Sequence, residues 1–245
     1  MPSFLAVPGM TNGLCAAIAA SPGSRRNIGE FMLTSQLDHI VIVAPSLVQG
    51  VEYVRQCLGV TPQPGGEHPR MATHNALIKL GDEIFLEVIA INPGAPGPAR
   101  PRWFELDRMD RNAMPRLATW VARTNDIHAA VAASPVPLGN MEPMTRGALN
   151  WLITIPGDGS LPMHGMAPTL IEWHNGPHPA INLKDQGCSL VKLEGFHPQA
   201  DRIAELLQSI GFSGNFPVYP IAQGEPPYLV AHIQTPDGPR VLRAA

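Results

Sequence analysis

Three ionisable side chains lie in the middle of predicted strands, where an uncompensated charge is costly. His39 is part of LDHIVIVAP, Glu87 of EIFLEVIAI and Glu172 of APTLIEWH. A carboxylate among apolar neighbours needs a cation, a metal ion or a proton beside it. Imidazole nitrogen and carboxylate oxygens together suit divalent ions. We therefore predict that the three side chains converge on one ion, with zinc, nickel, iron(II) and manganese as candidates.

Ion pairing is the alternative explanation for the two glutamates, with Arg70, Arg102 or Arg123 as partners. If a metal ion is bound, one carboxylate remains available to move protons. We expect Glu172 to be this general base.

Other polar side chains are candidates for contacts with a substrate in the same cavity. Two of the histidines precede prolines, which hold them in an extended conformation. A third follows Glu172 by two residues and faces the same side of its strand. The predicted substrate-binding residues are His68, His74, Asn75, Arg123, His174 and His178.

Motifs of other catalytic classes are absent from the sequence. It contains no GxSxG, GxxxxGK[ST], HExxH or strand-linked GxGxxG pattern. Cys57 falls at the end of a predicted helix, where the helix dipole disfavours a thiolate. Hydrolysis by a serine or cysteine nucleophile and P-loop chemistry are therefore not supported.

The elements that position these residues recur along the chain. A strand ending at Pro45 is followed by a helix with Ser46 as N-cap and Gly59 as C-terminal residue, then by further strands. The stretch TPQPGGEHPR between helix and strands is predicted to be turn-rich. Glu87 follows Ser46 by 41 residues.

A second copy of this order begins with RLATWVART. Asn125 or Asp126 is predicted to cap a short helix, and Glu172 follows Asp126 by 46 residues. A third, shorter copy closes the chain, with a strand at CSLVKLEG, a helix over 198–210 and a hairpin at Thr235–Gly238. We expect three parts: a poorly ordered extension over 1–34, paired units over 35–180, and a third unit over 181–245 packed on the same core.

Four segments together resemble the glyoxalase-like domain family of the vicinal oxygen chelate superfamily. They are LDHIVIVAP with its helix, GEHPRMATHNALIKLGDEIFLEVIA, WVART and TLIEWHNGPHP. The resemblance covers about residues 37–179 and extends more loosely to the third segment. It implies an α+β fold of tandem βαβββ units, as in glyoxalase, bleomycin-resistance and dihydroxybiphenyl-dioxygenase proteins, whose curved mixed sheets enclose a cleft.

The same resemblance implies a divalent metal held by the first and last strands of each unit. His39 then corresponds to a first-strand ligand, and Glu87 and Glu172 correspond to last-strand ligands. The fourth position aligns near Thr119, which is a poor ligand. This departure leaves either an open coordination position or a lost metal site.

Composition limits the partners of the chain. The net charge is −3, hydrophobic residues make up 44% and charged residues 15% of the 245 residues, and no basic cluster indicates nucleic acid. No apolar run reaches ~18 residues, so we predict no membrane span. Three scattered cysteines indicate a reducing, cytoplasmic compartment. The expected partner is a small-molecule substrate, in a protein that is a candidate homodimer.

Together, these observations predict a metal-dependent lyase or isomerase of the vicinal oxygen chelate type. It would act on a small oxygenated molecule through a metal-stabilised enolate. The alternatives are a non-catalytic small-molecule-binding protein, similar to antibiotic-sequestering relatives, and an extradiol-type dioxygenase.

Overall fold

The computed structural model describes residues 32–243. Within this range no helix is long and apolar enough to cross a membrane. The predicted extension over 1–34 falls mostly outside the described residues. Its last three residues are described, and they are held in place because the Asn125 side chain accepts from Thr34 N–H at 2.9 Å and donates to Met32 C=O at 2.9 Å.

The first unit has the element order βαβββ. Its elements are β1 (Ser35–Val43), α1 (Leu47–Leu58), β2 (Gln63–His68), β3 (Thr73–Lys79) and β4 (Phe85–Ile91). Helix α1 begins where Ser46 accepts a hydrogen bond from Gln49 N–H, and it ends at Gly59 with φ 73°. Both ends follow the capping pattern in the sequence.

The second unit repeats that order. It consists of β5 (Arg116–Thr124), α2 (Ile127–Ala133), β6 (Asn140–Arg146), β7 (Leu149–Ile155) and β8 (Thr169–Asn175). Asp126 accepts from Ala129 N–H and so caps α2.

The two units form one curved, mixed sheet of eight strands. The strand order is β2-β3-β4-β1-β5-β8-β7-β6. β1 and β5 pair antiparallel at the centre, and each pairs in parallel with the last strand of its own unit. The edges are bridged where Arg70 beside β2 donates to Pro143 C=O of β6 at 2.7 Å. The predicted fold of tandem βαβββ units around a cleft is confirmed.

Residues 189–243 form a second sheet. It contains β9 (Ser189–Phe196), β10 (Val218–Tyr219), β11 (Tyr228–Thr235) and β12 (Gly238–Arg243), in the order β10-β9-β11-β12, with α3 (Ala200–Ser209) after β9. Buried side chains of this sheet and of α3 lie in the same apolar cluster as Trp120 and Ile40 of the large sheet.

One segment differs from its predicted structure. Residues 63–68 form strand β2, although the sequence predicted turns there. The strand tolerates Pro64 and two glycines because it lies at a sheet edge and its pairing with β3 is irregular between Pro64 and Glu67.

The large sheet has two different faces. Ile40 and Ile42 of β1 pack on the helix side with Trp120. Val41 and Val43 pack on the concave side with the aromatic residues Trp103 and Trp151. Because side chains alternate along a strand, every polar group on β1, β4 and β8 is directed by this alternation either to the cleft or to the helices.

Candidate functional site

A narrow cavity of about 30 Å³ lies on the concave face of the large sheet. Such a volume holds about two water molecules. The polar residues that line it are His39, His68, Asn75, Glu87 and Arg146. The remaining wall is aromatic and aliphatic, made by Phe85, Trp103, Phe104, Trp151, Ile153, Ile171 and Trp173.

His39 and Glu87 face one another across this cavity. The two residues lie on β1 and β4, which pair in parallel. His39 Nε2 and Glu87 Oε2 are 3.6 Å apart, and both side chains are more than nine-tenths buried. The His39 ring stacks on Phe85 with its centroid 4.4 Å from that of the phenyl ring. The pair therefore lies in a largely apolar environment, where its mutual attraction is strong.

Asp38 completes a chain of three charged groups. Its carboxylate is fully buried and accepts from His39 Nδ1–H at 2.5 Å. It also accepts from Trp173 Nε1–H at 2.8 Å and from His178 Nε2–H at 3.0 Å. The pairing of β1 with β5 shifts register between Leu37 and His39. This irregularity lets Asp38 and His39 meet although they are adjacent in a strand.

The charges of these groups are set by their contacts. Burial alone would lower the pKa of His39, but the hydrogen bond to Asp38 and the attraction of the Glu87 carboxylate outweigh it and raise the pKa to about 9. Burial would raise the pKa of Asp38, but hydrogen bonds from His178 and His39 hold it well below its usual range. At neutral pH His39 is an imidazolium between two carboxylates.

Glu87 is stabilised as a carboxylate in the same way. Burial tends to raise its pKa, but the contacts with His39, His68 and Asn75 lower it to about 2. Asn75 Nδ2–H donates to Glu87 Oε1 at 2.5 Å, and Asn75 Oδ1 accepts from Gly66 N–H at 2.7 Å. Asn75 is thus locked in place by β2, and Glu87 Oε2 is left to face the cavity.

His68 is a neutral imidazole. Burial, together with the nearby charges of Arg146 and His39, lowers its pKa to about 4 in spite of Glu87. Its Nδ1 lies 3.1 Å from Thr73 Oγ1, and its Nε2 lies 3.5 Å from Arg146 Nη1. Because the guanidinium can only donate, His68 Nε2 is the acceptor and Nδ1 carries the proton.

Trp103 and Phe104 cover the cavity from outside the sheet. Their rings stack at 5.5 Å, and Trp103 packs edge-on against His68 at 5.1 Å. Phe104 and Glu105 both have positive φ, 58° and 57°. Left-handed backbone at a bulky residue costs about 1–3 kcal/mol, which the packing of the two rings must offset.

Glu172 does not reach this cavity. Ile171 and Trp173 line it, so the residue between them faces the helix side of β8. There Glu172 Oε2 accepts from Ile127 N–H at 2.7 Å, at the first residue of α2, and Oε1 lies 3.2 Å from His174 Nε2. The structure thus separates Glu172 and His174 from His39 and Glu87. Successive side chains of a strand face opposite sides, so Glu172, which lies between the cavity-lining residues Ile171 and Trp173, faces the helices.

The predicted substrate-binding residues other than His174 do not all lie at the cavity. His68 and Asn75 line the cavity, and His178 touches it through Asp38. His74 points away from Asn75 on β3 and lies opposite Glu67 of β2. Arg123 binds Glu83, with Nη2 2.6 Å from Oε2, and is therefore outside the cavity.

Sequence reasoning missed four important groups: Asp38, Arg146, Trp103 and Trp173. Asp38 carried a signal, because an aspartate inside an apolar strand is unusual. Trp173 follows Glu172 in β8 and therefore faces the opposite side of the strand, which is the cavity side. Arg146 and Trp103 belong to elements distant in sequence, and no local pattern marks them.

The donor groups at the cavity do not form the expected metal site. His39 Nε2 and Glu87 Oε2 both face the cavity and would supply two ligands. Glu172 lies on the other face, and Thr119 Oγ1 donates to Gly165 C=O at 3.2 Å. Within residues 32–243, no three His, Cys, Asp or Glu side chains are grouped to hold an ion. The residues present therefore do not fit a site with three or four protein ligands.

Sequence comparison identifies the family. A family model described as a glyoxalase-like domain matches residues 37–211. The chain belongs to this family, and the predicted membership of the glyoxalase-like domain family is confirmed. No curated protein matches the chain.

Several solved structures are similar in fold. A hypothetical protein from Staphylococcus aureus has 13% identity and a TM-score of 0.49, with 85% of each chain covered. A methylmalonyl-CoA epimerase from Mycobacterium tuberculosis has 15% identity and a TM-score of 0.38, covering 58% of this chain and 88% of that one. A variant of the Streptomyces coelicolor methylmalonyl-CoA epimerase, in complex with 2-nitronate-propionyl-CoA, has 18% identity and a TM-score of 0.38, covering 60% and 100%.

Proposed function

We propose that this protein is an isomerase or lyase that moves a proton at a carbon next to a carbonyl group of a small oxygenated molecule. The observation that supports this function is the pair formed by Glu87 and His39, a carboxylate facing an imidazolium at 3.6 Å in an apolar cavity. Enolate chemistry needs these two groups: a base for the carbon-bound proton and a donor for the oxygen that becomes negative.

In the proposed reaction Glu87 removes the proton. The C–H bond breaks, its electron pair moves into the carbonyl group, and the oxygen becomes an enolate that accepts a hydrogen bond from His39 Nε2–H. Return of the proton to a different face or carbon gives the isomer, and loss of a neighbouring leaving group gives the lyase product. Asp38 keeps His39 protonated and oriented through its 2.5 Å hydrogen bond.

Substrate binding would also make Glu87 a better base. Its low pKa results partly from His39. A carbonyl oxygen that takes the hydrogen bond of His39 removes part of that stabilisation and excludes water, and both effects raise the pKa of a buried carboxylate. We therefore assign the base to Glu87 and not to Glu172.

Experiment can distinguish this proposed enzyme from two alternatives. The aromatic lining favours a binding protein, which would take up ligands without exchanging their protons. A metal-dependent enzyme would have to use His39 and Glu87 as ligands. In that case added zinc, nickel, iron(II) or manganese would raise the melting temperature of the wild type, a chelator would lower it, and Glu87→Gln would not respond.

The test is deuterium exchange from D2O into carbon-bound positions of small 2-oxo acids and 2-hydroxy ketones, followed by proton NMR. We expect the wild type to catalyse exchange and Glu87→Gln to slow it by ~100-fold or more. Glu172→Gln is the matched control and should exchange at the wild-type rate. Exchange that persists in Glu87→Gln would reject the proposal, and ligand binding without exchange would favour the binding protein.

A further inference from the structure

Arg146 brings a guanidinium to the cavity, and no carboxylate of the described residues is in contact with it. It is the last residue of β6 and lines the cavity together with Glu87 and His39. No carboxylate of the described residues lies within 4.0 Å of it, and its one side-chain hydrogen bond among these residues is with His68 Nε2 at 3.5 Å. Glu142, four residues earlier on the strand, is already bound by Arg70 and by Arg100.

The structure directs this side chain towards the cavity. Arg146 precedes the tight turn at Gly147 and reaches across to β2 at the opposite edge of the sheet. A Cβ atom built on Gly66 would lie 2.8 Å from Arg146 Cδ, so the absence of a side chain there makes room for it. His68 then accepts from the guanidinium. Because burial keeps His68 neutral, it can act as this acceptor.

The other charges at the cavity already have partners. Asp38 is bound by His39 and His178, and Glu87 faces His39. Asp38 and Glu87 share the single imidazolium of His39, so Arg146 is the second positive charge of the cavity, but it lies within 4.0 Å of neither carboxylate. The guanidinium is half-buried, and its one hydrogen bond among the described residues is with His68. A ligand carboxylate would accept hydrogen bonds from its remaining N–H donors.

Building on the proposed function, we propose that the substrate is a small carboxylic acid. Its carboxylate is bound by Arg146, and its reacting carbonyl group lies between His39 and Glu87. A planar carboxylate matches the two parallel donors of one guanidinium. A phosphate group carries more charge than this single arginine balances, and the cavity wall beside it is aromatic.

The test uses intrinsic fluorescence, because three of the four tryptophans, Trp103, Trp151 and Trp173, line the cavity. The probes are pyruvate and phenylpyruvate, each compared with its uncharged methyl ester. We expect at least one acid to bind ~10-fold or more tightly than its ester, as charge-assisted hydrogen bonds require. Arg146→Gln should abolish this preference, and Arg146→Lys should retain part of it.

Two further variants control for indirect effects. Gly66→Ala displaces the Arg146 side chain but keeps its charge, and it should also weaken the preference for the acid. Arg240→Gln removes an exposed arginine of β12 and should leave the preference unchanged. Equal affinity for acid and ester in the wild type, no quenching by either acid, or a preference that survives Arg146→Gln would overturn the proposal.

The outcomes separate this inference from the proposed function. Exchange that depends on Glu87 but is equally fast for acid and ester would leave the enzyme class intact and reject the carboxylate site. Acid binding that depends on Arg146, without any exchange, would support the carboxylate site and reject the enzyme.

Discussion

In the first βαβββ unit, strands β1, β3 and β4 direct His39, Asn75 and Glu87 into the cavity. In the second unit, β7 and β8 direct tryptophans and isoleucines into it, and Arg146 of β6 adds a single cation. The two units have the same element order and are paired through their first strands. The two copies of the duplicated fold therefore contribute different side chains to the cavity: the first supplies the polar groups of the proposed proton transfer, and the second supplies the apolar wall and the proposed carboxylate-binding arginine.

The clearest difference lies in the two glutamates. Glu87 is in the cavity, whereas Glu172 contributes to the N-terminus of α2 by accepting from Ile127 N–H. The same residue type in the middle of the last strand therefore has a proposed catalytic role in one unit and caps a helix in the other. Register alone separates these roles, because neighbouring positions of a strand face opposite sides.

The largest expected effect comes from removing a buried charge in the first unit. Asp38→Asn leaves His39 without its buried counter-ion and disrupts the contacts of His178 and Trp173. We expect a loss of about 3–5 kcal/mol in the free energy of unfolding, measured with urea at pH 7. In the second unit, Asp126→Asn is the matched control, because Asn is an equally good N-cap and should cost less than about 1 kcal/mol. Similar small losses of stability for both variants would contradict the conclusion that the Asp38 carboxylate compensates the buried charge of His39.

Two histidines of the cavity should change the stability of the protein with pH in opposite directions. His39, with its pKa raised from 6.5 to about 9, contributes stability that is present below pH 6.5 and lost as the pH rises towards 9. His68, with its pKa lowered from 6.5 to about 4, makes stability fall as the pH drops from 6.5 to 4, because the unfolded state binds the proton more readily. We call these two changes the alkaline limb and the acidic limb of the stability curve. Each should amount to about 3 kcal/mol in the free energy of unfolding.

Denaturation at a series of pH values tests these two limbs. His39→Gln should remove the alkaline limb alone, and His68→Gln should remove the acidic limb alone. A curve that remains unchanged in His39→Gln would contradict a protonated His39 in the folded state.

The smallest expected effect is in the second unit. Glu172→Ala removes the acceptor for Ile127 N–H, and a lost cap of this kind costs about 0.5–2 kcal/mol. The melting temperature should fall by a few degrees, since about 1 kcal/mol shifts a chain of this size by ~2–4 °C. Proton exchange should stay at the wild-type rate. A loss of exchange would place Glu172 in the reaction and remove the contrast between the units.

Local signals in the sequence predicted much of the architecture. Ser46 and Gly59 mark the ends of α1, and Asp126 marks the start of α2, because capping depends on groups within a few residues. The repeated order of strands and helices was visible for the same reason. Strand β2 was missed because Pro64 and two glycines indicate turns unless the strand lies at an edge.

Sequence alone also identified His39 and Glu87 as candidates, since polar residues among apolar strand neighbours need compensation wherever they are buried. His68 was a candidate as a histidine before a proline, and Asn75 as a further polar residue of the same cavity. Tertiary structure decided which of the candidates meet. The irregular pairing that brings Asp38 to His39, the register that turns Glu172 towards α2, and the sheet curvature that carries Arg146 to Gly66 all depend on strands far apart in the chain. Local patterns set which side chains share a face of one strand. Only the pairing and closure of the sheet set which face encloses the cavity, because a shift of one residue exchanges the two faces.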